Sequence, residues 1–246
     1  MFRIIAEQTK KLAQDPKRLR EVLRPRRWRQ FFSVLFFSAR PGDRWKTSTS
    51  GQSFKQREYS SYDEYVAHQG SKLKYLDLAD YDRAYGGALR ERLQKLSLKS
   101  GAKVLCLGAR QGTEVKAFRD LGCDAIGIDL MPGENNPYVV KGDFHDLQFS
   151  AQSMDVMYTN SFDHAFDPKK MLAEIHRVLK PDGRLIVEAV RGEAEAKGPD
   201  AYASFWWRRV DDLAGLLAGE GFEVVQRAAF TEPWDGEQIC FRKKPA

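Results

Sequence analysis

A glycine-containing turn and a later aspartate carry the first chemical signal in this sequence. The apolar run KVLCLG, residues 103–108, is typical of a buried strand and leads through GARQG, residues 108–112, directly into a helix pattern. Glycines in such a turn let the backbone approach a ligand closely. Asp129 ends a second apolar run, 21 residues after Gly108, where a carboxylate can accept hydrogen bonds from both hydroxyls of a ribose. Together the order and spacing predict a nucleoside-binding site.

Acid–base chemistry is predicted in the loop after the fourth strand pattern, which contains Asp163 and His164. A histidine titrates near neutral pH and can accept a proton from a hydroxyl, so these two residues are the candidate catalytic groups. The alternative is that they shape a pocket or cap a helix. The three cysteines, Cys106, Cys123 and Cys240, form no CxxC pair, and no ligand spacing indicates a metal site.

Alternating strands and helices must position these residues. Strand patterns follow at 125–129, 138–141, 154–160, 184–190, 222–230 and 237–244, and helix patterns at 113–122, 167–183 and 205–221. Residues 71–101 are expected to be mainly helical, with breaks near Asp80 and at Gly86-Gly87. The pattern predicts an α/β fold with a doubly wound, seven-stranded, mostly parallel sheet. The short TEPWDG connection requires the last strand to pair antiparallel.

Positive charge is concentrated in the N-terminal quarter of the chain. Residues 1–60 hold 15 of the 40 Lys and Arg residues but only 5 of the 34 Asp and Glu residues, against a net charge of +6 for the whole. The basic run at 17–29 is followed by FFSVLFF at 31–37. Residues 17–37 therefore suit an anionic membrane surface or RNA. A solvated basic helix face followed by a packed apolar segment is the alternative.

The chain is predicted to divide at residue 70. Residues 1–70 form a basic, partly helical N-terminal extension, in which the polar residues 42–53 are expected to be a loop or linker. Residues 71–246 form the α/β domain. No apolar run is long enough to cross a bilayer, and the first residues lack the apolar stretch of a secretory signal. We therefore expect a cytoplasmic protein, with peripheral membrane contact as a further expectation; the oligomeric state stays open.

Five segments resemble the class I S-adenosylmethionine-dependent methyltransferases, within them the type 11 methyltransferases. They are VLCLGARQGTEV (104–115), AIGIDL (125–130), GDFHDL (142–147), MDVMYTNSFDHAFD (154–167) and IHRVLKPDGRLIVE (175–188). The resemblance covers about residues 84–246. It implies a Rossmann-like sheet, S-adenosylmethionine as cofactor, and an in-line displacement at the sulfonium methyl group for which the protein mainly aligns donor and acceptor.

The resemblance also implies roles for individual residues. Gly108, Ala109 and Gly112 would back the methionine part of the cofactor, whose carboxylate would lie at the helix N-terminus near Arg110. Asp129, with Leu130 beside it, would bind the ribose, and Asp143 and Phe144 would contact the adenine. Asn160 and Ser161 would face the methyl donor and the substrate.

One position departs from the family pattern. Members usually carry an acidic residue two positions before the first glycine, and this chain has Cys106 there. Glu114, in the first helical turn, could compensate for the missing acid.

Arg110 argues against a nicotinamide dehydrogenase. Such an enzyme would more often carry G-x-G-x-x-G, and Arg110 occupies the middle glycine position. The alternative to a cofactor contact for Arg110 is a solvated loop residue.

The expected function is methylation of a small-molecule or saccharide-type acceptor, most simply at oxygen. One alternative is an RNA methyltransferase that binds the RNA backbone through the basic N-terminus. Another, prompted by Cys106 and Arg110, is a catalytically inactive protein that binds the cofactor on a methyltransferase fold. Acceptor pockets in this family are built from loops and appended segments, so the sequence alone does not identify the acceptor.

Overall fold

The structure, a computed structural model, describes residues 44–72 and 79–244. The N-terminal elements are β1 (Trp45–Ser48), β2 (Gly51–Arg57), α1 (Tyr62–Ser71) and α2 (Ala79–Gln94). Then come β3 (Lys103–Leu107), α3 (Thr113–Asp120), β4 (Asp124–Asp129), β5 (Val139–Lys141), β6 (Met154–Thr159), α4 (Pro168–Val178), β7 (Leu179–Val190), β8 (Phe205–Trp207), α5 (Val210–Gly219), β9 (Phe222–Phe230) and β10 (Gly236–Lys243). The stretch 17–37, and with it the predicted membrane or RNA contact, lies outside the described residues.

Seven strands form the main sheet, in the order β5-β4-β3-β6-β7-β10-β9. Strands β3 to β7 pair parallel, and β10 runs antiparallel to both of its neighbours, β7 and β9. The connection between β9 and β10 is too short for a parallel crossover. The strand order reverses between β3 and β6, which is where doubly wound sheets bind their ligands. The predicted doubly wound, seven-stranded sheet with an antiparallel last strand is confirmed.

The central strand β3 is buried on both faces. Leu105 and Leu107 belong to the apolar core on one side of the sheet, and Val104 and Cys106 belong to the core on the other side. Successive side chains of a strand point to opposite faces, so a strand covered on both sides is apolar throughout. The turn after β3 therefore starts from a firmly held strand end.

A second, three-stranded sheet has the order β1-β2-β8. The expectation of a loop or linker at 42–53 was wrong, because these residues include β1 and the start of β2. The expectation of helix from residue 205 was also wrong, since Phe205–Trp207 is a strand that pairs antiparallel with β2. The hairpin is polar and mostly exposed, with Phe54 and Arg57 as its buried members in β2, so it shows little hydrophobic alternation.

Helix α2 runs through Gly86-Gly87, where a break was expected, so that expectation was wrong. Tyr85 and Leu89 are fully buried on one face of α2, and this packing outweighs the low helix propensity of glycine. A Cβ at Gly86 would lie 3.2 Å from Thr113 Cγ2, so the glycine lets α2 approach the start of α3 closely.

Helix α1 is capped and then docked against distant parts of the chain. Ser61 caps it by accepting a hydrogen bond from the backbone N–H of Glu64. The predicted division at residue 70 falls at the end of α1. Both β2 and α1, which lie on the N-terminal side of this division, contact the segment around residues 202–207.

Over residues 44–72 and 79–244, no helix has the length and apolarity needed to span a membrane.

Candidate active site

A cleft opens at the carboxyl ends of β3, β4 and β6. One side, here the sheet wall, consists of residues that follow these strands: Gly108, Arg110, Asp129, Leu130, Met131, Phe144, Ser161 and His164. The other side, here the helix wall, comes from α1 and the residue after it: Tyr65, Gln69, Gly70 and Lys72. The cleft thus lies at the switch point of the sheet and is closed by an N-terminal helix.

The turn after β3 is shaped by glycine and braced by Asp129. Gly108 has φ of +69°, and a Cβ added there would lie 2.8 Å from the Cβ and Oγ atoms of Ser161. A side chain at this position would therefore strain the backbone and crowd the cleft. The Asp129 carboxylate accepts hydrogen bonds from the backbone N–H groups of Arg110 (3.0 Å) and Met131 (2.8 Å). Asp129 thereby fixes the turn while its side chain lines the cleft.

Two predicted residues of this turn lie behind it. Ala109 is buried and donates its backbone N–H to the carbonyl oxygen of Ile128 (3.0 Å). Gly112 is the N-cap of α3 with φ of +82°, and a Cβ there would lie 2.5 Å from Tyr138 Cβ. Both residues support the shape of the turn, and neither lines the cleft.

Glu114 is a buried carboxylate with one oxygen that has no partner. Its side chain is in the first turn of α3, Oε1 accepts a hydrogen bond from Asn160 Nδ2 (3.2 Å), and Oε2 has no partner among the described residues. Burial raises the pKa of Glu114 to about 7. Asn160, predicted to face the methyl donor, also donates to Tyr85 Oη (2.8 Å) and so lies behind Ser161 rather than on the cleft surface.

Cys106 is a buried thiol close to Glu114. Burial, with the Glu114 carboxylate nearby, raises the pKa of the Cys106 thiol well above its usual value. The thiol is therefore protonated and behaves as a small apolar side chain. The acidic side chain beside this position is therefore Glu114 of α3, whereas β3 itself carries the neutral Cys106.

Asp143 and Phe144 take different positions. Phe144 lines the cleft. Asp143 Oδ1 accepts from the backbone N–H (2.8 Å) and the Nδ1 atom of His145 (2.8 Å), and Oδ2 accepts from the Tyr62 hydroxyl. Although burial opposes it, hydrogen bonds from His145 and Tyr62 lower the pKa of Asp143 to about 2. Asp143 thus joins α1 to the sheet instead of opening onto the cleft.

A partly buried cluster of ionisable groups lies where the two walls meet. Lys72 Nζ is 3.0 Å from His164 Nε2, and His164 Nδ1 is 3.0 Å from the carbonyl oxygen of Tyr202. Asp163 Oδ1 is 3.9 Å from His164 Nε2. Burial and the nearby Lys72 ammonium lower the pKa of His164, whereas burial and the Asp200 carboxylate raise the pKa of Asp163.

The structure gathers the predicted residues into one region of the molecule. Seven of them line the cleft: Gly108, Arg110, Asp129, Leu130, Phe144, Ser161 and His164. The other five lie behind it: Ala109, Gly112, Asp143, Asn160 and Asp163. Neither Met131 nor any residue of the helix wall was predicted as a site residue. A local signal for α1 was the Ser61-x-x-Glu64 capping pattern, which indicates where a helix starts but not that the helix lies over the cleft.

Residues 44–72 and 79–244 contain no cluster of His, Cys, Asp and Glu that could hold a metal ion.

Comparison with known proteins identifies this domain. Residues 105–187 match the family model described as a methyltransferase domain. This segment, about a third of the chain, is similar to a methyltransferase domain. The match spans β3 to β7, which includes the turn at Gly108, Asp129 and the loop with Asp163 and His164. The predicted family and its cofactor, S-adenosylmethionine, are confirmed at the level of the family.

Two curated relatives share the name demethylmenaquinone methyltransferase. The one from Renibacterium salmoninarum is 35% identical over 144 residues, which cover 54% of this chain and 60% of the relative. The one from Paenarthrobacter aurescens is 28% identical over 149 residues, which cover 56% of this chain and 58% of the relative. This chain thus spans less than two thirds of the length of either relative.

A solved methyltransferase structure shares the fold. The 1,6-didemethyltoxoflavin-N1-methyltransferase of Burkholderia thailandensis, with bound 1,6-didemethyltoxoflavin and S-adenosylhomocysteine, superposes with a TM-score of 0.58 at 19% identity. The match covers 79% of this chain and 97% of that one. At this identity the likeness shows the fold alone.

The cleft of the methyltransferase domain fits the cofactor of its family. No side chain covers the backbone of Gly108 in the cleft lining, the Asp129 carboxylate lines the cleft at the end of β4, and Glu114 has a buried oxygen without a partner among the described residues. A cofactor with ribose hydroxyls and an ammonium group offers hydrogen-bond donors for both carboxylates.

Proposed function

We propose that this protein transfers a methyl group from S-adenosylmethionine to a small-molecule acceptor, with oxygen as the atom methylated. The observation that carries the proposal is a single cleft that combines the nucleoside-side residues Gly108, Asp129 and Phe144 with the polar loop residues Ser161 and His164. A saccharide-type hydroxyl and a more acidic hydroxyl or carboxylate are the two kinds of oxygen to be distinguished.

In this proposal the cofactor is held mainly by the sheet wall. Asp129 would accept from the ribose hydroxyls, and Phe144 would contact adenine, with Asp143 as the residue that orients this loop. The turn at Gly108 would let the backbone approach the methionine part. Arg110 would pair with its carboxylate, and Glu114 would accept its ammonium group in place of the missing acid at Cys106.

The chemistry asked of the protein is alignment. When bound, S-adenosylmethionine supplies a methyl group already activated on a sulfonium. The loop from Ser161 to His164 would place the acceptor oxygen in line with it. For a neutral hydroxyl, His164 with Asp163 nearby is the proposed base, and that role needs His164 Nε2 to be released from Lys72. For an acceptor that arrives ionised, no base is required.

Calorimetric titration of the full chain with S-adenosylhomocysteine tests the cofactor part of the proposal. We expect one site with a dissociation constant in the micromolar range, followed by label transfer from methyl-labelled S-adenosylmethionine to small molecules of a cell extract. Binding without any labelled product would favour the inactive cofactor-binding alternative. Absence of binding to both forms of the cofactor would contradict the proposal altogether.

A further inference from the structure

We propose that Lys72 is an anion-binding residue of the acceptor site, and that the acceptor is an acidic oxygen compound that binds as its anion. The chemical class is a carboxylate, a phenolate or an enolate, and not a neutral saccharide hydroxyl. This inference rests on the proposed function, because it names the substrate class of the same cleft.

Lys72 brings a positive charge to the cleft from outside the family-matched segment. It follows the last residue of α1, its side chain lines the cleft, and Nζ is 3.0 Å from His164 Nε2. The ammonium also lies 5.5 Å from the centroid of the Tyr202 ring. An ammonium has three N–H donors, and His164 takes one of them.

The hydrogen bonds of His164 determine which atom donates. Nδ1 is 3.0 Å from the carbonyl oxygen of Tyr202, and a carbonyl can only accept, so Nδ1 carries the proton. Nε2 of the neutral ring then has a lone pair and accepts from Lys72. His164 therefore positions the Lys72 ammonium but does not neutralise its charge.

Lys72 has no paired carboxylate among the described residues. None lies within 4.0 Å of its Nζ atom; Asp200, Asp163 and Asp129 favour its charge from a longer distance, and Arg110 opposes it. Asp200 Oδ1 is already bonded to the backbone N–H groups of Tyr202 (2.7 Å) and Ala203 (2.8 Å). A partly buried cation without a counter-ion is costly, and an anionic ligand removes that cost.

An ionised acceptor also balances the reaction. The acceptor oxygen forms the new O–C bond with its own electron pair, the S–C bond breaks, and its electron pair stays on sulfur. One negative and one positive charge are lost together, so no proton has to be removed. His164 can then remain the acceptor for Lys72 throughout.

The test compares charged fragments with neutral ones of the same shape. Benzoate against benzamide and 4-nitrophenolate against 4-nitroanisole are titrated into the full chain saturated with S-adenosylhomocysteine, with ligand-observed NMR as the readout. We expect the anionic member of at least one pair to bind the wild-type protein about tenfold more tightly. The pair that shows the preference distinguishes a carboxylate acceptor from a phenolate one.

Two variants separate anion binding from folding and from cofactor binding. Lys72→Met should abolish the preference for the anion, Lys72→Arg should keep it, and the affinity for S-adenosylhomocysteine should change less than threefold in both. Equal binding of charged and neutral fragments to the wild-type protein would overturn the inference. The inference would also be overturned if Lys72→Met still bound the anionic fragment more tightly than the neutral one. It would be overturned as well if Lys72→Met changed only the affinity for S-adenosylhomocysteine. Failure of the wild-type protein to bind S-adenosylhomocysteine refutes the proposed function instead, and the fragments are then titrated alone.

Discussion

The sheet wall and the helix wall of the cleft are built on different principles. Residues of the sheet wall follow strand ends, and Asp129 is fixed there by backbone N–H groups at 3.0 and 2.8 Å. The helix wall is one short helix whose Gln69 donates to the Tyr202 carbonyl (2.9 Å) and to Ser204 Oγ (3.0 Å). In the proposed function the cofactor would lie against strand ends within the matched residues 105–187, and the acceptor would lie between the loop at Ser161 and a helix wall outside that match.

This contrast predicts where each kind of defect will fall. Changes in the sheet wall should weaken cofactor binding first, because Asp129 and Gly108 hold the turn that the cofactor would touch. Changes in the helix wall should spare the cofactor and alter the acceptor, as expected for Lys72. The four substitutions below test the sheet wall, the carboxylate behind it and the bond that holds α1, from the largest effect to the smallest.

Asp129→Asn should have the largest effect. The loss of the carboxylate charge removes charge-assisted hydrogen bonds to the ribose, so the affinity for S-adenosylhomocysteine should fall by about 2–3 kcal/mol, or about 30- to 100-fold. Calorimetry gives the measurement, and Asp124→Asn, at the exposed start of the same strand, is the matched control. If Asp129→Asn bound S-adenosylhomocysteine as tightly as the wild-type protein, Asp129 would not be part of the cofactor site.

Glu114→Gln should change how stability depends on pH. Burial raises the folded-state pKa of Glu114 from its usual 4.5 to about 7, so the folded protein binds more protons than the unfolded chain between those values. Stability must then fall as pH rises through this window. Between pH 5 and pH 8 the wild-type protein should lose about 2 kcal/mol more than Glu114→Gln does.

Denaturant unfolding at the two pH values measures this difference, with the exposed Glu91→Gln on α2 as control. The same Glu114→Gln variant should bind S-adenosylhomocysteine about tenfold more weakly at pH 8, whereas its affinity for methylthioadenosine, which lacks the ammonium, should not change. Equal losses for the two ligands would argue against an ammonium contact.

Gly108→Ala should combine strain with crowding. A side chain in the left-handed region costs about 1–2 kcal/mol, and the new Cβ would also meet Ser161 at 2.8 Å. Gly101 has a similar φ of +73° but nothing within 4 Å of an added Cβ. Both alanine variants should melt at lower temperature, and only Gly108→Ala should lose affinity for S-adenosylhomocysteine. Equal affinities in the two variants would contradict the close approach at Gly108.

Tyr62→Phe should have the smallest effect. It removes the hydroxyl that joins α1 to Asp143, at a cost of about 1 kcal/mol at neutral pH. Because the folded-state pKa of Asp143 is lowered from 3.8 to about 2, this contribution is present above pH 3.8 and is lost as pH falls toward 2. A double-mutant cycle with Asp143→Asn measures the coupling, and a coupling near zero would show that this bond does not hold α1 in place.

The sequence predicted the sheet, and every residue of the sheet wall except Met131, because both depend on local patterns. The run from Val104 to Leu107 is apolar throughout because both faces of β3 are covered. The glycine turn and Asp129 follow strands at fixed spacing, and the parallel topology brings strand ends together. These features need no knowledge of distant contacts.

The helix wall could not be predicted in the same way. Lys72 and His164 are 92 residues apart, and no local pattern brings the two side chains together. The hairpin that precedes α1 is mostly exposed and polar, and Phe205–Trp207 is apolar enough to be mistaken for the start of the following helix. Tertiary contacts, rather than local patterning, decide both elements.

A crystal structure of the full chain with S-adenosylhomocysteine tests the central claim, that one cleft holds the cofactor at Gly108 and Asp129 and the acceptor between the loop 161–164 and Lys72. We predict the ribose hydroxyls within hydrogen-bond distance of Asp129 and the ammonium at Glu114. The sulfur should face the space between Ser161 and Lys72. Ligand density elsewhere, or a sulfur atom turned away from Lys72 and His164, would contradict this account.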